Sequence, residues 1–294
     1  MSVETSKIRT LLSAVDLGSF SKAAEVLGYT QSGITHMMNS LEEELGVPLL
    51  VRGNRGVRLS ADGQRLEQQL RRLAAEAERL EQELALLRGV ERGVVRIGAY
   101  SSISLHYLPS ILELFQERYP GIDVELFEGD GQEMAAWLSS GRIDLAFMSR
   151  QAGRSDFETI KIKDDPMLAV LPKNHPMAGE KVFPFSRFKD ERYLVYLGLS
   201  GPDEDLSRAM RMAGVGSNAR FTSNFDMNIV SMVEHNLGVT ILPELILQGS
   251  ERNVALLPLD PPMSRALVMA MRPEGGTSPA MRRFIDCARE VLGL

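Results

Sequence analysis

Five hydrogen-bonding side chains recur at helical spacing in the segment that begins at residue 31. They are Gln31, Ser32, Thr35, His36 and Asn39. At about 3.6 residues per turn they share one face of a helix, while Ile34, Leu41 and Leu45 lie on the opposite, apolar face. Gln and Asn match the edge of adenine, and a Ser or Thr hydroxyl can bond to a base or to a phosphate. The pattern indicates a helix that contacts DNA, and the alternative is the polar face of an ordinary surface helix.

The residues before this helix favour a tight crossing of two helices. Ala23 and Ala24 are small enough for two backbones to approach closely, and Gly28 can adopt the positive φ that a turn requires. A helix that follows such a turn keeps its first turn exposed, which is the geometry of a helix-turn-helix whose second helix enters the major groove. Ser21, on the first helix, is assigned to the same DNA-contacting surface.

The segment 47–60 has the pattern of a hairpin. Two short β-prone stretches flank Gly53, Asn54, Arg55 and Gly56, which are typical of a tight turn. A cationic hairpin beside a recognition helix suits phosphate contact or insertion into the minor groove. We therefore predict a wing, and the alternative is a solvated hairpin with ordinary surface arginines. The arginines assigned to DNA contact are Arg52, Arg55 and Arg58.

The overall charge does not by itself favour binding to DNA. The 294 residues carry a formal net charge of −6, and residues 1–60 contain six Lys or Arg and six Asp or Glu. A protein held to DNA by bulk electrostatics would be basic. Affinity is therefore expected to come from local geometry and from two copies that bind together.

A heptad repeat supplies a way to join two copies. Its seven positions step alternately by four and three residues: Leu66, Leu70, Leu73, Ala77, Leu80, Leu84 and Leu87. A helix over 61–88 with this narrow apolar stripe is typical of a coiled coil. We predict a dimer along this stripe, and the alternative is a helix packed on the chain's own C-terminal domain.

Beyond a glycine-bounded hinge at 89–93, strands and helices alternate. This order predicts an α/β domain with a mainly parallel sheet. Strands are predicted at 94–99, 123–127, 141–148, 167–171, 193–197, 238–243 and 265–271, and helices at 105–119, 132–140, 203–213, 227–236 and 279–292.

Three stretches carry a resemblance to a known family: G-S-F-S-K-A-A-E-V-L, E-E-E-L-G-V-P-L-L and V-R-L-S-A-D-G. With them, the whole chain resembles the LysR-type transcriptional regulators. The resemblance implies a regulator that binds double-stranded DNA at a pseudo-palindromic operator, as a homodimer or a homotetramer. The chain departs from the family in the recognition helix, where Gln31-Ser32 and Thr35-His36 replace the usual Gln-Pro and Ser-Arg pairs.

The resemblance also implies the domain organisation. The C-terminal domain is similar to periplasmic solute-binding proteins of type 2, with an effector held between two lobes. The expected parts are an all-α winged helix-turn-helix at 1–60, a coiled-coil linker helix at 61–88, a hinge at 89–93, and an α/β effector-binding domain at 94–294, with lobe I at about 94–166 and 271–294 and lobe II at about 167–270.

Ligands of α/β sheets gather where strands end and helices begin. Hydroxyl and backbone N–H groups at a helix start suit an anionic group, and an Arg at a strand end can pair with a carboxylate. A carboxylate effector is therefore our hypothesis, although each residue could equally be a helix cap or a loop residue. The candidate effector contacts are Ser101, Ser102, Ser149, Arg150, Ser200, Thr222, Ser223 and Asn224.

Other classes of site have little support in the sequence. The four histidines show no ligand spacing with acids or with the sole cysteine, Cys287, so we expect neither a metal nor a cofactor. No catalytic Ser/His/Asp set or phosphate loop supports an enzyme, and no export signal supports a secreted solute-binding protein. One cysteine without a leader or a long apolar span favours the cytoplasm, with no membrane partner.

Overall fold

The computed structural model describes residues 4–53, 56–87, 92–150, 157–196, 210–211, 214, 221–223, 225–249, 252–273 and 277–294. Two units divide the chain: one comprises Met1–Gly93, Trp137–Arg142 and Ser278–Ala280, and the other comprises Val94–Ala136, Ile143–Thr277 and Met281–Leu294. The helices are α1 Thr5–Asp16, α2 Phe20–Leu27, α3 Gln31–Leu45, α4 Ala61–Leu87, α5 Ser101–His106, α6 Leu108–Arg118, α7 Gly131–Ser140, α8 Asp226–Glu234, α9 Glu244–Leu247 and α10 Pro279–Leu292. The strands are β1 Leu50–Gly53, β2 Gly56–Leu59, β3 Gly93–Ala99, β4 Ile122–Glu128, β5 Leu145–Ser149, β6 Glu158–Pro172, β7 Phe183–Pro184, β8 Leu194–Tyr196, β9 Phe221–Ser223, β10 Thr240–Pro243, β11 Val254–Asp260 and β12 Ser264–Met271.

The helix-turn-helix forms as the sequence predicts, because caps and a glycine define its ends. Gly28 ends α2 with φ of 70°, and the Thr30 hydroxyl accepts a hydrogen bond from the N–H of Gly33 at 3.0 Å to begin α3. Ile34 of α3 and Ala23 of α2 are fully buried in the core that α1 shares with them. The tight packing of these small and branched residues sets the crossing of the two helices.

The long helix α4 spans 27 residues and agrees with the predicted helix over its described part, Ala61–Leu87. Its first half packs on α1, where Leu70 and Ala74 join the core of the helix-turn-helix unit. Arg71 is also buried there, and its guanidinium holds the carboxylate of Asp16 with Nη2–Oδ1 at 2.6 Å. A buried charge is tolerated when it is paired, so this contact fixes the start of α4 on α1.

One large sheet organises the second unit, with the strand order β4-β3-β5-β12-β6-β11-β7 and β10 on β6. β6 is 15 residues long, and its first part pairs with β12 while its later part pairs with β10 and β11. β6 therefore connects the two halves of the sheet.

The prediction of a mainly parallel sheet is wrong. β3 and β5 are parallel, but β12 is antiparallel to both β5 and β6, and β10 and β11 are antiparallel to β6. An apolar run identifies a buried strand, but it does not give the direction in which the strand runs. β12 runs antiparallel to its neighbour β6, a pairing that does not need the helical crossover of a parallel pair.

Several element boundaries also differ from the prediction. The predicted helix at 105–119 is two helices, α5 and α6, because Pro109 occupies the first turn of a new helix. The predicted helix at 203–213 and the predicted hinge at 89–93 lie mostly outside the described residues. Within these two ranges the structure describes Met210, Arg211, Arg92 and Gly93. β11 and the first part of β6 were not predicted.

A separate apolar core lies where α6 and α10 pack against β5. Phe284 of α10 packs edge-on against Phe115 of α6 and Phe147 of β5, with ring centroids 5.2 and 6.4 Å apart. Cys287 lies on the same helix and is 1% exposed. Across the described ranges, none of the helices has the length and apolar character needed to cross a membrane.

Candidate nucleic-acid interface and ligand site

The outer face of α3 collects the five polar residues that the sequence predicts there. Four of them are exposed and Thr35 is half-buried. The five border an open surface depression of about 630 Å³. Ser21 of α2 joins them, because its hydroxyl donates to Oε1 of Gln31 at 3.2 Å. The helix thus presents amides, hydroxyls and an imidazole on one accessible surface, which is the chemistry that base edges require.

The predicted hairpin forms, with β1 antiparallel to β2 and the Cα of Arg52 opposite that of Val57. Arg58 is exposed, and its side chain makes no ion pair or hydrogen bond with any residue in the described ranges. Arg52 is engaged within the unit: Nη2 lies 2.9 Å from Oε2 of Glu42, and its guanidinium stacks over the ring of Phe20 at 5.3 Å. Arg55 lies outside the described residues. Arg58 is therefore the described wing arginine that is free to meet a phosphate.

Glu42 anchors the hairpin, a role that the sequence analysis missed. Its Oε1 accepts hydrogen bonds from the N–H groups of Leu49 and Leu50 at 2.7 and 2.9 Å. Both leucines are buried, so these N–H groups depend on Glu42 as their acceptor. Three consecutive glutamates, 42–44, read alike in the sequence, and only the fold shows that the first of them ties α3 to β1.

Replacing Glu42 by Ala is expected to lower the free energy of unfolding by about 2 kcal/mol, because two buried N–H groups lose a charged acceptor. Thermal or urea unfolding of the full chain measures this loss. The matched control is Glu43→Ala on the neighbouring exposed position, which is expected to change stability by less than about 0.5 kcal/mol. Equal effects of the two substitutions would contradict the anchoring role of Glu42.

The end of the hairpin that carries its turn lies against the turn that follows α1. The N–H of Val57 donates to the carbonyl oxygen of Gly18 at 3.0 Å, and Gly56 beside it has φ of 95°. A Cβ at Gly56 would lie 2.4 Å from that same oxygen. The position therefore requires glycine, both for its backbone conformation and for its close approach.

The leucines of α4 divide into two groups. Leu70 is 8% exposed in the core of its own unit, and Ala77 is half-buried. The other five remain exposed: Leu66 at 36%, Leu73 at 45%, Leu80 at 61%, Leu84 at 43% and Leu87 at 83%. Four of these five are spaced by seven residues, so they form a continuous apolar row along the helix. The dimer seam remains a prediction, and this row is the surface that it would use.

Two of the predicted effector residues, Ser102 and Ser149, lie in a polar cluster with side chains of β6 and β12. The hydroxyl of Ser102 accepts a hydrogen bond from Nη2 of Arg265 at 3.0 Å, and Arg265 pairs with the fully buried Asp165 at 2.8 Å. Ser149 also lies there, with its hydroxyl 3.0 Å from that of Tyr100. Arg265 and Asp165 were not predicted, because they stand 100 residues apart with no local motif.

Ser101 lies at the start of α5, and its hydroxyl donates to Oδ2 of Asp226, the first residue of α8, at 3.0 Å. Thr222 is exposed in β9, while the hydroxyl of Ser223 accepts from the N–H of Phe225 at 3.0 Å. Ser200 and Asn224 lie outside the described residues. Ser101 is thus the predicted residue that connects the α5 side of the domain with the α8 side.

The guanidinium of Arg150 is not brought to Ser102. Its backbone N–H donates to Ala266, but its Nη2 lies 3.4 Å from the hydroxyl of Thr159. Thr159 pairs with Ala270, whereas Arg265 stands five residues away along β12, a separation of roughly 17 Å at the usual rise per residue. The Arg150 guanidinium is thus engaged by Thr159 rather than by Ser102 in this conformation.

Comparison with known proteins places these surfaces in context. The family model described as "LysR substrate binding domain" matches residues 88–293, and that described as "Bacterial regulatory helix-turn-helix protein, lysR family" matches residues 5–64. The uncharacterized HTH-type transcriptional regulator YvbU of Bacillus subtilis is 28% identical over 98% of each chain. A probable hydrogen peroxide-inducible genes activator of Streptomyces viridosporus is 27% identical over 97% of this chain and 93% of its own. A point variant of full-length OxyR from Pseudomonas aeruginosa has a similar fold, with a TM-score of 0.74 at 20% identity over 100% of this chain and 98% of that one.

Proposed function

The chain belongs to the LysR family of bacterial transcriptional regulators, and from that premise we propose how its two surfaces work together. Two copies join along the exposed leucine row of α4 and present two α3 helices to a pseudo-palindromic operator. A small-molecule effector bound to the C-terminal unit changes the relative arrangement of the DNA-binding units and so the affinity for DNA. Such a regulator acts in the cytoplasm, where the chromosome is, and it performs no catalysis.

The single observation that carries the DNA-binding proposal is the exposed face of α3. Gln31, Ser32, His36 and Asn39 stand together on an exposed surface, beside an exposed hairpin arginine. Since the unit as a whole is neutral, base contacts and one or two phosphate contacts per copy supply the affinity. Two copies on one rigid helix pair would read half-sites separated by about one or two helical turns of DNA.

Arg58→Ala tests the phosphate contact. We expect operator affinity to fall by roughly tenfold at low salt. The magnitude of the slope of log K against log salt should decrease by about one per chain, because the variant makes one phosphate contact fewer and so releases about one counterion fewer on binding. Fluorescence anisotropy with the duplex upstream of the chain's own gene, located first by a footprint, measures both quantities. Arg65→Ala, on an α4 side chain that is 84% exposed, is the control. An unchanged salt slope for Arg58→Ala would exclude the contact, and absence of any protected DNA would refute the proposed function.

A peroxide response deserves comparison, because a relative bears that function in its name. A disulfide within one chain requires two cysteines, and this chain has only Cys287. The Cys287 thiol is buried, and burial raises its pKa, so little thiolate is present to react. These properties support an effector that binds without covalent chemistry at sulfur.

A further inference from the structure

The hydrogen bond between Ser101 and Asp226 joins two segments that are 125 residues apart in the sequence. Asp226 is half-buried, and its second oxygen, Oδ1, accepts from the N–H of Met227 at 2.7 Å. Both donors are neutral. Within the described ranges Asp226 makes no ion pair; its negative charge meets a hydroxyl, a backbone N–H and the N-terminus of α8, in whose first turn it lies. A partly buried carboxylate without a cationic partner still gains from a cation.

Neither Arg265 nor Arg150 supplies that cation. Arg265 is already paired with Asp165 through both Nε and Nη2, at 2.9 and 2.8 Å. Arg150 directs its guanidinium towards Thr159. A carboxylate ligand at Ser101 would therefore face the charge of Asp226 without a free counter-charge from either arginine, which argues against the carboxylate hypothesis at this position.

Two large apolar side chains flank the hydrogen bond between Ser101 and Asp226. Leu105 is one helical turn after Ser101 on the same face of α5, and it is 68% exposed. Phe225 directly precedes Asp226, and it is 69% exposed. One carboxylate bordered by two exposed apolar side chains is a surface that suits a ligand with a cationic head and an apolar body.

We propose that the effector of this regulator presents a protonated amine to Asp226, in place of the Ser101 hydroxyl, and packs an apolar body against Leu105 and Phe225. This inference rests on the proposed function, since it names the chemical class of the effector. The amine would donate to Oδ2 and neutralise the carboxylate, while the N–H of Met227 keeps its contact with Oδ1. Exchange of the Ser101 contact for a ligand would release α5 from α8, which links binding to a change within the effector domain.

Thermal unfolding of the full-length protein with matched probes tests the class of ligand. The probes are primary alkylamines and arylalkylamines, such as 2-phenylethylamine, each paired with the carboxylate and the alcohol of the same carbon skeleton. We expect at least one amine to raise Tm by roughly 5 °C at about one hundred times its Kd, and its carboxylate and alcohol partners to have no effect. Stabilisation by the carboxylates, or no shift with any amine, would overturn the proposal.

Two substitutions separate charge from the hydrogen bond. Asp226→Asn keeps a carbonyl acceptor for the N–H of Met227 and replaces the other oxygen by an NH2 group that can donate to the Ser101 hydroxyl. It removes the charge, so amine affinity should fall at least tenfold. Ser101→Ala removes the competing hydroxyl and keeps the charge, so amine affinity should be retained. The reverse order would refute the role of Asp226. If the parent protein failed to bind DNA, the proposed function would fail, whatever the amines do.

Discussion

Leu80→Arg is expected to convert a dimer into a monomer of 32.6 kDa and to reduce operator affinity at least 100-fold. Leu80 is 61% exposed in the single chain, so its replacement leaves the core of its own unit intact. In a coiled coil the same residue would be enclosed by its partner, where an unpaired guanidinium costs several kcal/mol per copy. Loss of the dimer removes the second DNA-binding unit, and with it the gain from linked binding.

Analytical ultracentrifugation and fluorescence anisotropy on the same samples measure mass and affinity together. Gln68→Arg is the control, because it adds the same charge to an exposed position of α4 away from the leucine row. It gives up one hydrogen bond, from the Gln68 amide to the carbonyl oxygen of Ser139 at 3.2 Å, which is not part of the row. We expect this control to remain dimeric and to bind the operator normally. If Leu80→Arg kept the mass of two chains, the leucine row would not be the seam.

Gly56→Ala is expected to displace the hairpin and to lower operator affinity at least tenfold. The new Cβ would meet the Gly18 carbonyl oxygen at 2.4 Å, and the residue would have to keep a positive φ of 95°. Strain and overlap together cost about 2–4 kcal/mol, and the hairpin can relieve them only by moving away from the turn after α1. Such a movement breaks the hydrogen bond from Val57 to Gly18 and shifts Arg58 relative to α3.

Gly53→Ala provides the comparison within the same hairpin. A Cβ at Gly53 meets no atom within 4 Å. This variant is therefore expected to have the same Tm and the same operator affinity as the parent. Thermal unfolding and anisotropy of the two variants distinguish a positional requirement from a general loss of glycine flexibility. Equal losses of affinity in both variants would show that the contact with Gly18 does not position the wing.

Local sequence patterns were sufficient to predict much of the secondary structure of the N-terminal unit. Gly28 and Thr30 define the ends of α2 and α3, and the alternation of apolar and polar residues assigns the outer face of α3. The same holds for α4 and for α10, where helical spacing predicted the bounds within one residue. These signals act over three to seven residues, so they can be read from a single sequence.

The sequence by itself determined many of the helices and strands, which side chains face outward on α3, and which leucines can form a row on α4. Only the tertiary structure decided that Leu70 belongs to the core, that Arg52 pairs with Glu42, and that Asp226 meets Ser101. The physical reason is range. Periodicity and turn chemistry depend on neighbours along the chain, whereas ion pairs and strand direction depend on which distant segments the packing brings together, and no local pattern encodes those partners.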